Sequence, residues 1–210
     1  MHERRAGHVA VPLPDGRVLI AGGIGPDWTF LKSAEIYDPR TMRFERTGAM
    51  HVPRESHTAV ALRDGRVLVI GGHVGRRAAL RLHASAEIYD VTTGRFTVTG
   101  SMSTPRHKHE AVILPTGRVL VLGGSDERDD RGAYTSTEWY DAGTGQFTPG
   151  PSLTTPRYKH ERSARVLPNG DVVVAGGAAT AERYDAARDQ FVERARQPRV
   201  TCTSRRHAPV

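Results

Sequence analysis

Two adjacent glycines recur four times along this chain, at Gly22-Gly23, Gly71-Gly72, Gly123-Gly124 and Gly176-Gly177, spaced by 49, 52 and 53 residues. Each pair keeps the same company. A glycine stands six residues before it (Gly16, Gly65, Gly117, Gly170), and a Glu-x-Tyr-Asp follows it at 35–38, 87–90, 138–141 and 182–185. Six residues beyond each aspartate lies a phenylalanine (Phe44, Phe96, Phe147, Phe191). An Arg-x-x-His opens every unit, at Arg5/His8, Arg54/His57, Arg106/His109 and Arg157/His160. Five landmarks in fixed order, four times over, constrain any fold this chain can adopt. A unit of about 50 residues that is buried on both faces needs neighbours on both sides.

Each unit reads as four short strands. In the second unit the first strand spans 58–62 (TAVAL), and Asp64-Gly65 hands it to the next. That pair suits a tight hairpin because glycine tolerates the positive φ such turns need. The second strand, 66–70 (RVLVI), is an unbroken apolar run, which implies burial on both faces. The glycine pair ends it, where backbone passes close to backbone. A third strand over 86–90 closes in an aspartate able to accept from the turn two residues on, and a fourth begins near Phe96. Buried second strands are expected at 18–21, 67–70, 119–122 and 172–175. No helical periodicity of useful length appears. The expected class is all-β, a propeller array of four four-stranded antiparallel blades.

These landmarks closely resemble the kelch motif, in the form common in bacterial kelch-repeat proteins. The resemblance rests on the double glycine after an apolar strand, the Glu-x-Tyr-Asp and the later aromatic, and covers about residues 1–195. Three departures stand out. Phenylalanine replaces the usual fourth-strand tryptophan, two extra residues separate His160 from Gly170, and the link before Glu182 is short. The resemblance implies that first strands line a central channel and fourth strands lie outermost. It also implies a function among scaffolds, substrate adaptors and a few oxidases, a range that fold alone does not narrow.

Met50, Met102 and Leu153 stand four residues before their arginines, and Met1 holds the same place before Arg5. The initiator thus occupies an internal slot of the motif, without the fourth strand expected ahead of it. At the far end 197–199 (QPR) resembles 52–54, 104–106 and 155–157, after which the pattern decays. The expected layout is four blades over 1–197, at approximately 4–51, 52–103, 104–154 and 155–197, with a tail at 198–210 that resembles the start of a fifth repeat. Propellers carry roughly 4 to 8 blades. The kelch resemblance implies mostly six or seven, so a partial or open propeller is expected ahead of a closed four-blade ring, with bare blade faces that favour self-association.

The net charge of +7 comes almost wholly from arginine, since Lys32, Lys108 and Lys159 are the only lysines. Nucleic-acid binding wants such charge gathered on one stripe with stacking aromatics. Here arginines run through all four units and aromatics are only 6%, so nucleic acid is not the expected partner. The longest uncharged apolar stretch, 172–181, falls far short of the roughly 18 residues of a membrane helix. The opening Met-His-Glu-Arg-Arg lacks the apolar core of a secretory signal and leaves the compartment unread. A single cysteine, Cys202, excludes an internal disulfide and a multi-cysteine zinc site.

Histidines are the most tempting ligands. His8, His57, His109 and His160 share one repeat position, and His107-x-His109 is expected to place both rings on one strand face. Converging imidazoles can hold copper or zinc. A residue present in every blade is more simply there for the blade, so the reading adopted is structural. The same holds for Glu35, Glu87, Glu138 and Glu182, because equivalent positions spread them around the ring and defeat paired acid–base work. Arg54, Arg106 and Arg157 are expected to reach Glu35, Glu87 and Glu138 of the preceding unit, since a buried carboxylate is costly unpaired. The acidic run Asp126, Glu127, Asp129 and Asp130 lacks the order of a calcium loop. Sialidase, Gly-x-Ser-x-Gly, phosphate-loop and His-Glu-x-x-His signatures are absent. The copper oxidases that share kelch blades use a tyrosine crosslinked to a cysteine, and here the sole cysteine lies in the decaying tail. No catalytic residue, metal or cofactor is expected.

What varies between units points to function. The links after the double glycines cover 24–34, 74–86, 125–137 and 178–181. They carry Trp28, Phe30, Arg76, Arg77, Arg81 and Tyr134, the expected binding residues, because aromatic and arginine side chains anchor interfaces. The second link is basic and the third acidic, which leaves open that the two pair with each other. The expected function is a non-catalytic scaffold that binds a protein or a glycan through loops on one propeller face. The alternative is a fragment of a kelch-type enzyme, such as a galactose-oxidase-like copper oxidase, whose catalytic part is missing.

Overall fold

Each apolar run takes the second place in a four-stranded antiparallel sheet. The computed structural model describes residues 1–159 and 162–196. The first sheet is β1 (Val9–Pro12), β2 (Val18–Ala21), β3 (Ala34–Asp38) and β4 (Arg43–Arg46). The second begins with β5 (Thr58–Ala61) and β6 (Val67–Ile70); a two-stranded ribbon of β7 (His73–Val74) and β8 (Arg81–Leu82) follows before β9 (Ser85–Asp90) and β10 (Arg95–Ser101) complete it. The third is β11 (Glu110–Ile113), β12 (Val119–Leu122), β13 (Thr137–Asp141) and β14 (Gln146–Pro149). The fourth is β15 (Ala164–Val166), β16 (Val172–Val174), β17 (Thr180–Asp185) and β18 (Gln190–Arg196). First strands stand side by side, β5 against both β1 and β11, and β11 against β15. They curve around a cavity of about 170 Å³ lined by His8, His57, Thr58, Glu110 and Arg162. The architecture is that of a partial β-propeller.

The turns behave as their residues demand. Gly16, Gly65, Gly117 and Gly170 all take φ between 86° and 88°, closing the first hairpin of each blade. Asp90 accepts from the backbone N–H groups of Thr92 and Thr93, and Asp141 from those of Gly143 and Thr144. The double glycine meets both demands of its place. Gly71 has φ 62°, and a side chain there would lie 2.7 Å from the Arg106 carbonyl oxygen and 2.8 Å from the His109 ring. Backbone of one blade thus touches backbone of the next.

Alternation along the second strand builds the core. Leu68 and Ile70 of β6, with Ile88, pack forward on Val119, Val121 and Tyr140. Val67 and Val69, with Tyr89 and Phe96, pack backward on Leu19, Ala21 and Ile36. Leu120, Leu122 and Trp139 repeat the pattern against Val172, Val174, Tyr184 and Phe191. Burial of one such side chain contributes about 1.5–3 kcal/mol relative to exposure.

The two ends of the array differ. Tyr89, Tyr140 and Tyr184 are 2%, 1% and 4% exposed, whereas the equivalent Tyr37 is half-buried, as are Val18 and Phe44 beside it. No blade covers that face among the described residues. At the other end Arg183 replaces the forward-packing Ile36, Ile88 and Trp139, and Asp171 and Asp185 neutralise it at 2.5 and 3.3 Å. The expected strand 172–175 is corrected: β16 stops at Val174, and Ala175, whose backbone N–H donates to the Ser163 carbonyl at 3.1 Å, is exposed.

Candidate functional site

The recurring arginines and glutamates form one lock per blade, at 3.2 Å for Arg5–Glu35, 3.0 Å for Arg54–Glu87, 3.1 Å for Arg106–Glu138 and 2.8 Å for Arg157–Glu182. Pairing is within the unit, which corrects the expected partners in the preceding one. The reason is where the arginine enters. Arg54 crosses from the first blade and folds over the end of its own sheet, donating to the Gly71 and Ser85 carbonyls at 2.8 and 2.9 Å. Glu87 reaches back instead, accepting from the His51 backbone amide at 2.7 Å. Burial works to raise the Glu87 carboxyl, but that amide, the His51 ring and the Arg54 guanidinium outweigh it and hold it below the usual carboxylate range. Glu35 behaves alike, under the His2 and Glu3 amides and Arg5. Glu87 thus ties the end of the first blade to the second, and Glu35 fastens the N-terminal segment to the first.

The repeated histidines serve the same junctions. His57 packs against Gly22 and Gly72, and burial followed by Arg54 pushes its ring down to about 3. His109 occupies the matching place against Gly71 and Gly124. His107 does not share a face with His109, contrary to the His-x-His expectation. Lys108 between them has φ 52° and β11 starts only at Glu110, so strand alternation does not apply. His160, Glu161, the 198–210 tail and Cys202 lie outside the described residues. Among the described residues no group of three or more His, Cys, Asp or Glu side chains is arranged to hold a metal ion.

The links after the double glycines crowd the side of the blades where the locks lie. Three of them carry a short 3₁₀ turn, Pro26–Trp28, Arg77–Ala79 and Asp129–Gly132. Trp28 is 59% exposed, and the Arg76 guanidinium of the next blade stacks on it at 3.4 Å from the ring centroid. Phe30 turns inward, edge-on to His73 with centroids 5.7 Å apart. Tyr134 is half-buried, its ring 5.3 Å from the Arg106 guanidinium carbon and its hydroxyl donating to the Pro105 carbonyl at 3.4 Å. Arg77 and Arg81 join Tyr134 in one groove of about 630 Å³, with Leu80, Leu82, Pro105 and Glu127 also on its walls. So the structure gathers three of the six expected residues around a groove, stacks Arg76 on Trp28, and sets Phe30 against His73.

The basic and acidic links do not neutralise each other through ion pairs. Asp126 pairs with Arg128 of its own loop, and Asp129 with Lys108. Neither Arg77 nor Arg81 forms a salt bridge among the described residues, and Arg81 donates only to the Ala78 and Leu80 carbonyls. Pattern reading missed His73, which lies directly after the second double glycine where other units carry Ile24, Ser125 and Ala178. That departure from the repeat was the available signal.

A family profile for the kelch motif matches residues 5–50 and 56–103, the first two units. A search of curated proteins returned no match.

Proposed function

We propose that this chain, whose first two units match the kelch motif, is a non-catalytic scaffold which captures a protein partner through the loops of its second and third blades. Kelch repeats commonly mediate protein interactions. The observation that carries the reading is the groove between those loops. Arg77 and Arg81 are exposed there beside Leu80, Leu82 and Pro105, with Tyr134 as the aromatic wall. Guanidinium groups without an ion pair among the described residues, next to apolar surface, suit a segment that presents carboxylates alongside aliphatic or aromatic side chains. Stacking on Trp28 holds Arg76 in place, so less side-chain freedom is lost on binding.

Affinity capture and crosslinking with the purified chain test the proposal. Arg77→Glu with Arg81→Glu is expected to abolish capture of a partner at unchanged melting temperature, and rising salt to weaken capture by the native chain. Undiminished capture by the double variant would place the binding surface elsewhere.

A further inference from the structure

We propose that the partner enters the groove of the second and third blades as an extended strand that pairs with β8 and carries alternating acidic and apolar side chains. The proposal rests on the reading of that groove as the capture site, and adds what the groove recognises. Its basis is the backbone bonding of the ribbon. β7 and β8 run antiparallel, with His73 opposite Leu82 and Val74 opposite Arg81. His73 commits both main-chain groups to the side away from β8. Its N–H donates to the Glu55 carbonyl at 2.9 Å, and its carbonyl accepts from the Glu55 N–H at 3.0 Å. Leu82 and His73 therefore form a pair that exchanges no hydrogen bonds, and a residue in such a pair turns its N–H and C=O to the opposite edge. The bond from the His83 N–H to the Gly72 carbonyl at 2.8 Å sets the same alternation one residue on. Among the described residues neither main-chain group of Leu82 has a hydrogen-bond partner. Leu82 lines the groove beside Arg77, Leu80 and Arg81, so an open strand edge borders it.

The second link is set apart from its counterparts. In the first and third links the matching contacts, Ile24 with Phe30 and Ser125 with Ala133, are single bridges, whereas the second forms a ladder. An edge that offers both main-chain groups is a template for an incoming strand. The side chains of β8 set what that strand carries. Arg81 and Leu82 are neighbours on a strand and so point to opposite faces. A strand laid alongside meets them in the same alternation, with an apolar residue opposite Leu82 and an acidic one opposite Arg81. Arg77 and Arg81 are exposed, and neither has an ion pair among the described residues. Leu80, Pro105 and Tyr134 supply apolar wall. Glu127, exposed on the third-blade wall, repels a segment that is acidic throughout. With one open residue on β8, main-chain pairing is short, and the arginines add charge attraction to it.

A capped hexapeptide of alternating glutamate and valine, titrated into the purified full-length chain, tests this. With valine opposite Leu82, the valine N–H groups point to β8 and the glutamate N–H groups point away. N-methylation of every valine is therefore expected to weaken binding at least about tenfold relative to N-methylation of every glutamate, because it removes a hydrogen bond and sets a methyl group against the edge. Amide exchange followed by NMR locates the contact. The Leu82 amide should slow when the unmodified peptide binds, whereas the His83 amide, already bonded to Gly72, should keep its rate. Arg77→Glu with Arg81→Glu should abolish binding. Equal affinity for the two methylated peptides, or an unchanged Leu82 amide, overturns strand pairing, and loss of binding in the arginine variant would then leave the groove as a site that reads charge alone. No binding of the unmodified peptide by the native chain at about 1 mM also overturns the proposal. Undiminished binding by the arginine variant overturns the groove reading with it.

Discussion

Replacing Arg54 by methionine removes the charge of the second blade's lock while keeping most of the side-chain stem. In the native chain its guanidinium serves the Gly71 carbonyl at 2.8 Å, the Ser85 carbonyl and hydroxyl at 2.9 Å, and Glu87 at 3.0 Å. A buried acceptor left without its donor costs about 1–3 kcal/mol. Removal of one partner from a buried ion pair costs about 3–5 kcal/mol as a whole, because the losses overlap. Domain stabilities are about 5–15 kcal/mol, so the variant should survive but lose a large share of its margin. Urea unfolding should be followed by circular dichroism together with tryptophan fluorescence. Trp28 reports on the first two blades and the buried Trp139 on the last two, so stepwise loss of the array would show as separated transitions. The acid limb offers a second reading. The Glu87 carboxyl is held low in the fold, so its contribution is complete above the unfolded carboxyl range of about 4.3 and is lost as pH falls through the folded value. Glu87→Gln should flatten that limb. A penalty for Arg54→Met below about 1 kcal/mol would refute the reasoning that the lock holds blade to blade.

Gly71→Ala is expected to cost about 2–5 kcal/mol, combining left-handed strain with overpacking against rigid backbone, whereas Gly16→Ala, with nothing within 4 Å, should show only the strain. Thermal and urea melts of the two separate these terms. His57 is neutral in the fold, and the unfolded chain takes up a proton at this site from about pH 6.5 downward, so lowering pH favours unfolding by roughly 1.4 kcal/mol per unit down to the folded value of about 3. His57→Asn should therefore show a smaller stability loss between pH 7 and pH 5 than the native chain. The uncovered face of the first blade should drive self-association, and Val18→Lys with Tyr37→Lys should lower the mass found by light scattering without changing the melting temperature.

Much of the fold was legible because the repeat states each constraint four times. The runs at 67–70 and 119–122 could be read as buried on both faces, and every residue of those two strands is fully buried. Ala175 was misjudged for a reason of position. Its alanine and glycine-rich surroundings match the motif, but β16 stops at Val174, one residue short of it. The arginine–glutamate lock was legible as chemistry and wrong in partner, since the crossing from β4 to β5 decides which sheet Arg54 covers. The loops were the least legible part. Arg77, Arg81 and Tyr134 share a groove because the links of two neighbouring blades fold against each other. No period in the chain describes that meeting, nor the one that brings His73 to His107 across two blades.

Amide hydrogen exchange read by mass spectrometry tests most directly whether the chain is a four-blade array built on buried second strands, with its variable loops free. Peptides covering β6 and β12, sandwiched between blades on both sides, should exchange slowest, with β2 and β16 at the ends opening sooner. Links 24–34, 74–86 and 125–137 should exchange fastest unless a ligand is bound. Equal protection of all four second strands would contradict the open array, and protection of the links above that of β6 would contradict the core itself.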